Sequence, residues 1–546
     1  MKHFFNRRET IVTEALDGLL LTSGKGRLAR LDSFPDIKVI LRADWDRSKV
    51  AIISGGGAGH EPSHAGFVGR GMLTAAVSGE IFASPSVDAV LTAIRAVTGQ
   101  KGALLIVKNY TGDRLNFGLA GEKARAEGFD VEMVIVADDI ALPGINQPRG
   151  VAGTLFVHKI AGYHAERGED LKTVAARAKS AAGDIVSLGM SLSTCSVPGQ
   201  AHADRLGANE GELGLGIHGE PGAERIALQP VADIVATMVA RLSAALGDVS
   251  DHALLINNLG AVPPLEMAVI ANAVLSSTLG GRVRLIIGPA PLMTALNMNG
   301  FSLSLIPLDA DREAALRSEV EPHAWMPAVE RSEIEIIAAP RAAGGLVAEG
   351  AAGDHAGNRR LITTLCEHLI SLQDELNRLD SRVGDGDTGS TVATGARSLL
   401  ARLDTLPLDR PPALLAAIGD ILGTSMGGSS GVLLSIFFTA AGKALADKPD
   451  ISAALLAGLD RMTFYGGARV GDRTMIDALS PALHALSSGG IAGAAKAAAS
   501  GAEATKTMTK AGAGRASYVG ERDLAGVADP GAVAVAAAFA VAAGLA

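Results

Sequence analysis

Three aspartates crowd into one short stretch, LDSRVGDGDTGST, as Asp380, Asp385 and Asp387. Glycines alternate with the last two, and glycine's access to positive φ lets the chain fold back and gather all three carboxylates. Gathered carboxylates repel one another and raise their own pKa unless a cation neutralises them. Hard oxygen ligands select Mg²⁺ or Ca²⁺ over zinc. The hydroxyls of Thr388, Ser390 and Thr391 follow at once and suit a phosphate. On spacing alone, an acidic surface turn is an equal reading.

A second group of chemical residues lies far upstream. His218 sits in the glycine-rich run GLGIHGEPG, where an imidazole can reach a ligand without crowding and act as nucleophile or base near pH 7. His60 ends the run GGGAG, whose backbone N–H groups can cradle an anion or hydroxyl. Lys108 and Asp113 bracket KNYTGD. Each has a plain alternative: a loop histidine commonly serves only as a hydrogen-bonding residue, and Lys108 with Asp113 makes an ordinary ion pair. Placement on successive strand-end loops favours one shared crevice.

Two familiar patterns are set aside. His60-Glu61-Pro62-Ser63-His64 fits H-E-x-x-H, but a zincin needs both histidines one turn apart on a helix. Pro62 interrupts that turn and glycines precede it, so the imidazoles should not share a face. Gly214, Gly216 and Gly219 fit G-x-G-x-x-G, yet the fingerprint needs a strand before it and a helix after it. The surrounding NEGELGLGIHGEPG promises neither.

The elements that must position these residues change character midway. Strand-like stretches at 49–54, 103–107, 131–136, 252–257, 283–287 and 301–307 alternate with alanine-rich helical runs. That alternation predicts α/β architecture with largely parallel sheets up to about residue 331. Residues 332–353 read as a small-residue linker. Beyond it, Leu361, Leu365, Leu369, Leu372, Leu376 and Leu379 recur at helical spacing, and no convincing strand follows, so 354–546 reads as an all-α domain.

Composition narrows the function. Apolar residues are 48% and charged residues 20%, as in an ordinary globular protein. A net charge of −9 and only 3% aromatic residues argue against nucleic acid as a partner. Two distant cysteines, Cys195 and Cys366, give neither a disulfide framework nor a zinc site and fit a reducing cytoplasm. The N-terminus lacks the apolar stretch of a signal peptide. The terminal run AVAVAAAFAVAAGLA is short of the roughly twenty residues a membrane span needs and reads as the last buried helix of a bundle.

Eight strings together resemble the dihydroxyacetone kinase family over nearly the whole chain. ISGGGAGHEPSHAGFVGRGML, GEIFASPS, VKNYTGDRLNF and GLGIHGEPG are similar to its substrate subunit. GDGDTGST, MGGSSGVL, GDRTMIDAL and KAGAGRASYVGERDLAGVADPGA are similar to its helical nucleotide-binding domain. Both halves on one chain is the arrangement of the ATP-dependent members. The resemblance implies an α/β substrate-binding region, 1–331, of two subdomains split near residue 185, followed by a helical-barrel domain, 354–546, that binds Mg-ATP through two Mg²⁺ ions with Asp380, Asp385 and Asp387 as metal ligands. It implies that His218 captures a ketone as a hemiaminal, with His60 and Asp113 as acid/base pair and Gly57, Ala58, Gly59 and Lys108 contacting substrate. Nucleotide contacts fall on Thr388, Gly389, Ser390, Thr391, Ser429, Ser430, Gly466, Thr474, Met475, Arg515, Asp529, Pro530 and Gly531. Ala58 stands where many relatives have serine, and Thr388 where some have histidine. Dihydroxyacetone with ATP is the expected substrate pair, in a homodimer with domains exchanged between chains. A four-carbon ketose such as erythrulose, a lyase activity on FAD giving cyclic FMN, and a non-catalytic regulatory module are the alternatives.

Overall fold

A computed structural model describes residues 3–142, 144, 146–200, 205–340 and 352–546, with backbone only at Arg515, Glu521 and Arg522. Residues 341–351 of the linker expected at 332–353 therefore lie outside the described residues, as does the Arg515 side chain. The chain divides into two compact units, Met1–Glu335 and Ile336–Ala546.

The first unit holds two sheets. In the six-stranded sheet, Ala75–Ile81, Ala51–Ala58, Ala103–Lys108 and Val131–Val136 run parallel, and Lys38–Arg42 and Leu28–Arg30 extend one edge antiparallel. The strand Ala103–Lys108 is buried at every residue because both faces are covered. Leu104 and Ile106 pack with Leu155, Phe156 and Ile160 of the helix Thr154–Glu166. Leu105 and Val107 pack on the opposite side with Val90, Ile94 and Phe117. Such two-faced burial turns a strand into a continuous apolar run and leaves polar chemistry to its ends.

The second sheet corrects the expectation of largely parallel pairing. Only His252–Asn258 and Val283–Ala290 run parallel there; the neighbours Gly300–Pro307, Val186–Ser191, Glu210–Leu213, Glu224–Ala227 and Val329–Glu330 are antiparallel. Parallel neighbours need a long crossover, and residues 214–223 between two of these strands carry no helix. The strand Glu210–Leu213 also corrects the reading of the glycine pattern: a strand does precede Gly214, but no helix opens after Gly219, so the dinucleotide fingerprint still fails. Around His60 and His64 the chain forms turns and a short 3-10 segment, Ala65–Phe67, as Pro62 foretells.

The second unit is helical. Ala356–Ser371, Thr388–Ala401, Pro411–Ser425, Gly428–Asp447, Ile451–Gly466, Ile476–Ala504 and Pro530–Leu545 pack each on the next, and the last packs back on the first, closing a barrel. Ile476–Ala504 is interrupted at Gly490, whose φ of 59° is non-helical. The barrel surrounds an apolar cavity of about 910 Å³. The helix Gly428–Asp447 is long and apolar enough to cross a membrane by length and composition. Its Leu434 and Phe438 line the cavity, which accounts for apolar side chains not enclosed by neighbours. Pro530–Leu545 likewise faces the lumen through Ala534, Val535 and Phe539, so the terminal run lines a cavity where a fully buried helix was expected.

Candidate active site

The first unit gathers His60, Lys108, Asp113 and His218 as expected from loops at strand ends. Gly57 and Ala58 finish the strand Ala51–Ala58, and Gly59 and His60 follow directly. Lys108 ends Ala103–Lys108, and Asp113 lies in the first turn of the helix Thr111–Ala126, where its charge suits the helix dipole. His218 stands in a turn after Glu210–Leu213. The rings of His60 and His218 have centroids 4.9 Å apart. Phe82 lies 5.3 Å from each of them and Tyr110 4.4 Å from His218, so four rings form one packed cluster.

Hydrogen bonds set the tautomers of both imidazoles. His60 is wholly buried, and its Nδ1 lies 2.7 Å from the Thr294 carbonyl, which can only accept. The proton therefore sits on Nδ1 and the lone pair on Nε2, a buried atom with no partner. Burial, with Lys108 and His218 adding repulsion, holds the His60 pKa well below the ordinary value, so the ring is neutral with its lone pair at Nε2. His218 directs Nδ1 at Glu220 Oε1, 3.1 Å away, and its backbone N–H donates to Glu220 Oε2 at 2.9 Å. A carboxylate gripping one edge of a ring leaves the other nitrogen for a substrate. Burial works against the Glu220 carboxylate, but hydrogen bonding and attraction from His218 outweigh it and lower its pKa.

Lys108 and Asp113 form the second half of the site. Lys108 Nζ is 3.9 Å from Asp113 Oδ2 and both side chains are buried, while Ser84 Oγ donates to Asp113 Oδ1. Burial pulls the Lys108 pKa down and Asp113 pulls it partly back. At Gly56, φ is 154° and a Cβ would stand 2.6 Å from Lys108 Nζ, so no larger residue fits there. The Gly59 N–H donates to both carboxylate oxygens of Glu61, at 3.1 and 3.0 Å. Glu220, Tyr110, Phe82, Thr294 and Ser84 were not singled out from sequence. Glu220 was within view, two residues after the chosen histidine in GLGIHGEPG.

In the second unit, Asp380, Asp385 and Asp387 each offer an oxygen within 4.8 Å of the others, with Asp380 buried and the other two exposed. Gly386 has φ of 81°, the backbone the cluster requires. Asp380 Oδ2 accepts from the N–H groups of Asp387 and Thr388, at 2.9 and 3.2 Å, which pins the turn. Thr388, Gly389, Ser390 and Thr391 open the helix Thr388–Ala401, whose N-terminus favours anions. Asn377 holds Ser390 through its backbone N–H and its hydroxyl. Thr388, Ser430, Met475 and Gly531 line one cavity. Among the described residues, Ser429 and Gly466 do not line it; they lie at the ends of their helices. Thr474 donates its N–H to Asp477 and caps Ile476 with its hydroxyl. Asp529 caps Pro530–Leu545 by accepting from Ala532, and burial pushes its pKa to about 6, with the charges of Asp477 and Asp380 adding to the rise.

Comparison with known proteins agrees with both halves. A Dak1 domain matches residues 26–324 and a DAK2 domain residues 382–544. Dihydroxyacetone kinase of Citrobacter freundii is 52% identical over 98% of this chain and 98% of its own length. Triokinase/FMN cyclase of Mus musculus is 42% identical over 98% of this chain and 97% of its own. The crystal structure of the C. freundii kinase in complex with AMP-PNP and Mg²⁺ superposes with a TM-score of 0.75, covering 100% of this chain and 99% of that one at 49% identity. With both domains present in order along its length, the chain belongs to the dihydroxyacetone kinase family.

Proposed function

We propose that the chain transfers the γ-phosphoryl group of ATP to a terminal hydroxyl of dihydroxyacetone while His218 holds the ketone as a hemiaminal. The chain is an ATP-dependent kinase of this family, with Mg²⁺ as its metal. The observation that carries the substrate reading is the pair of oriented imidazoles in one cluster, 4.9 Å apart.

In the proposed sequence, His218 Nε2 adds to the carbonyl carbon as the C=O π bond opens. The Nδ1 proton passes to Glu220, which faces it at 3.1 Å, and water supplies the proton that neutralises the carbonyl oxygen. Glycerol has no electrophilic carbon and cannot be captured this way. Gly57, Ala58 and Gly59 then contact the bound substrate, with Lys108 beside them. The free lone pair of His60 Nε2 accepts the proton of the attacking hydroxyl, and Asp113 completes the acid/base pair. Asp380, Asp385 and Asp387 fit a hard cation: all three donors are oxygens, they converge, and two stand exposed to an arriving ion. When bound there, Mg²⁺ neutralises phosphate charge during transfer, the chief demand of this reaction class. Thr388, Gly389, Ser390, Thr391, Ser429, Ser430, Gly466, Thr474, Met475, Arg515, Asp529, Pro530 and Gly531 make up the nucleotide contacts in this proposal. We expect a homodimer whose units are exchanged between chains, acting in the cytoplasm.

A second reading concerns FAD. A relative 42% identical carries the double name triokinase/FMN cyclase, which supports a cyclic-FMN-forming side activity at the same nucleotide half. A coupled ATPase assay across dihydroxyacetone, erythrulose, glyceraldehyde and glycerol, with FAD run separately, tests both readings. Ketoses should drive ATP consumption and glycerol should not. Equal turnover of glycerol would overturn capture on His218, and erythrulose preferred over dihydroxyacetone would move the substrate to a four-carbon ketose.

A further inference from the structure

We propose that His64 is a positioning residue for Lys108 and, through it, for Asp113, its imidazole held in place by a buried pair formed by Ser54 and His158. The assignment rests on the kinase reading above, because it takes Lys108 and Asp113 as parts of the ketone site.

Lys108 Nζ donates to His64 Nε2 at 2.9 Å, so that nitrogen must carry a lone pair and the ring proton must sit on Nδ1. Nδ1 lies 3.5 Å from Ser54 Oγ. Ser54 gives its own proton to the Ile106 carbonyl at 2.7 Å, so its oxygen is free to accept from ring N–H groups. The second such group is His158 Nε2, 3.1 Å away, from the helix Thr154–Glu166. Ser54, His64, Lys108 and His158 are all buried. The result is a one-way chain in which His158 and His64 donate to Ser54 and Lys108 donates to His64.

This chain has a cost that packing alone does not explain. His158 Nδ1 is buried without a partner, and an apolar ring would fill that space without leaving a polar atom unsatisfied. What the imidazoles provide is a neutral acceptor for a buried ammonium. A carboxylate in the place of His64 would compete with Asp113 for the charge of Lys108. A neutral ring fixes the direction of Nζ and leaves its charge facing Asp113 at 3.9 Å. The point of convergence is the backbone of Gly56, where a Cβ would meet Lys108 Nζ, Asp113 Oδ2 and His64 Nε2 at 2.6, 3.4 and 3.8 Å. That backbone leads straight into Gly57, Ala58, Gly59 and His60.

The titratable groups facing Lys108 come from each element packed on it. Asp113 faces it from the helix Thr111–Ala126, His60 and His64 from the loop after Ala51–Ala58, and His158 from the helix Thr154–Glu166. Burial depresses all three imidazoles, leaving Asp113 as the charged partner among the described residues. Loss of the His64 acceptor destabilises the ammonium relative to the free amine, and so brings deprotonation of Lys108 to lower pH.

The test is the pH profile of kcat/KM for dihydroxyacetone in the wild-type chain and in His64→Leu, His64→Gln and Ser54→Ala. His64→Leu is expected to lower kcat/KM about tenfold and to move the alkaline limb down by about one pH unit. His64→Gln presents an amide oxygen to Nζ and should keep both within about threefold and a few tenths of a unit. Ser54→Ala should move the limb in the same direction by less. An unmoved limb in His64→Leu, or equal shifts in the Gln and Leu variants, would overturn the assignment. If His64→Leu does not fold, an unmoved limb in Ser54→Ala overturns it. A wild-type chain inactive on every ketone overturns the kinase reading and this assignment together, whereas an active wild type with unmoved limbs overturns the assignment alone.

Discussion

In the first unit, His60, Lys108 and Asp113 are buried and each is turned by a protein partner; in the second, Asp385 and Asp387 stand exposed beside a barrel whose lumen is apolar. The difference follows from what each half must hold. In the proposed capture, addition to a carbonyl demands one nitrogen at one angle, and Glu220 holds the His218 ring at Nδ1. At the proposed metal site, Mg²⁺ brings its own charge and keeps several of its waters in octahedral order, so the protein needs only a few converging oxygens and open positions for water and phosphate. One half is preorganised by hydrogen bonds, and the other is completed by its ligand.

The sharpest way to break this contrast is to disable each half and ask whether metal repairs it. His218→Ala should cost at least about a thousandfold in ketone phosphorylation, since it removes the nucleophile of the proposed covalent step. Added Mg²⁺ should not restore it. Asp385→Asn should cost about a hundredfold at limiting Mg²⁺ and recover in part as Mg²⁺ is raised, because one of the three proposed ligands loses its charge. Coupled-assay turnover across a Mg²⁺ titration checks both. Full wild-type efficiency in His218→Ala, or an Asp385→Asn defect indifferent to Mg²⁺, would erase the distinction.

A smaller effect tests whether the ring of His218 is preorganised at all. Glu220→Gln keeps the size of the side chain but removes the charge that grips Nδ1. The expected loss is about tenfold in kcat/KM. Wild-type kinetics in that variant would mean that the cluster tolerates a free ring.

Much of this was legible in sequence because the reactive residues sit in loops whose glycines advertise them. The chain around His60, Lys108 and His218 reads as strand ends and turns, and the structure places all three there. The alternation that marks Ala103–Lys108 and Val131–Val136 was strong because both are rich in β-branched and large aliphatic residues. Ala75–Ile81 and Glu210–Leu213 escaped notice because AAVSGEI and EGEL have weak intrinsic preference and become strands only by pairing with neighbours. Antiparallel pairing in the second sheet was invisible for a related reason: it depends on which distant strands meet, and local pattern carries no record of that. Glu220 and Ser54 were missed since neither residue type, taken singly, announces that it will orient a histidine.

One buried group in each half should answer to pH with opposite sign, and paired variants isolate it. His158 is buried and neutral, with its pKa pushed to about 3 against about 6.5 in an unfolded chain. Below pH 6.5 the unfolded state binds a proton that the folded state refuses, so this group subtracts stability as pH falls, by about 2 kcal/mol at pH 5. Asp529 is the reverse case. Its pKa is raised to about 6 from about 3.8, so between those values the folded state holds the proton and stability is lost as pH rises. The penalty reaches about 3 kcal/mol above pH 6. Relative to wild type, His158→Phe should therefore gain thermal stability on going from pH 7 to pH 5. Asp529→Asn, which keeps an oxygen to accept from Ala532, should gain it on going from pH 4 to pH 7. Melting temperatures of both variants across that range decide the matter: parallel slopes would mean that burial acts alike on the two units, while opposite slopes tie each response to the sign of the charge it excludes.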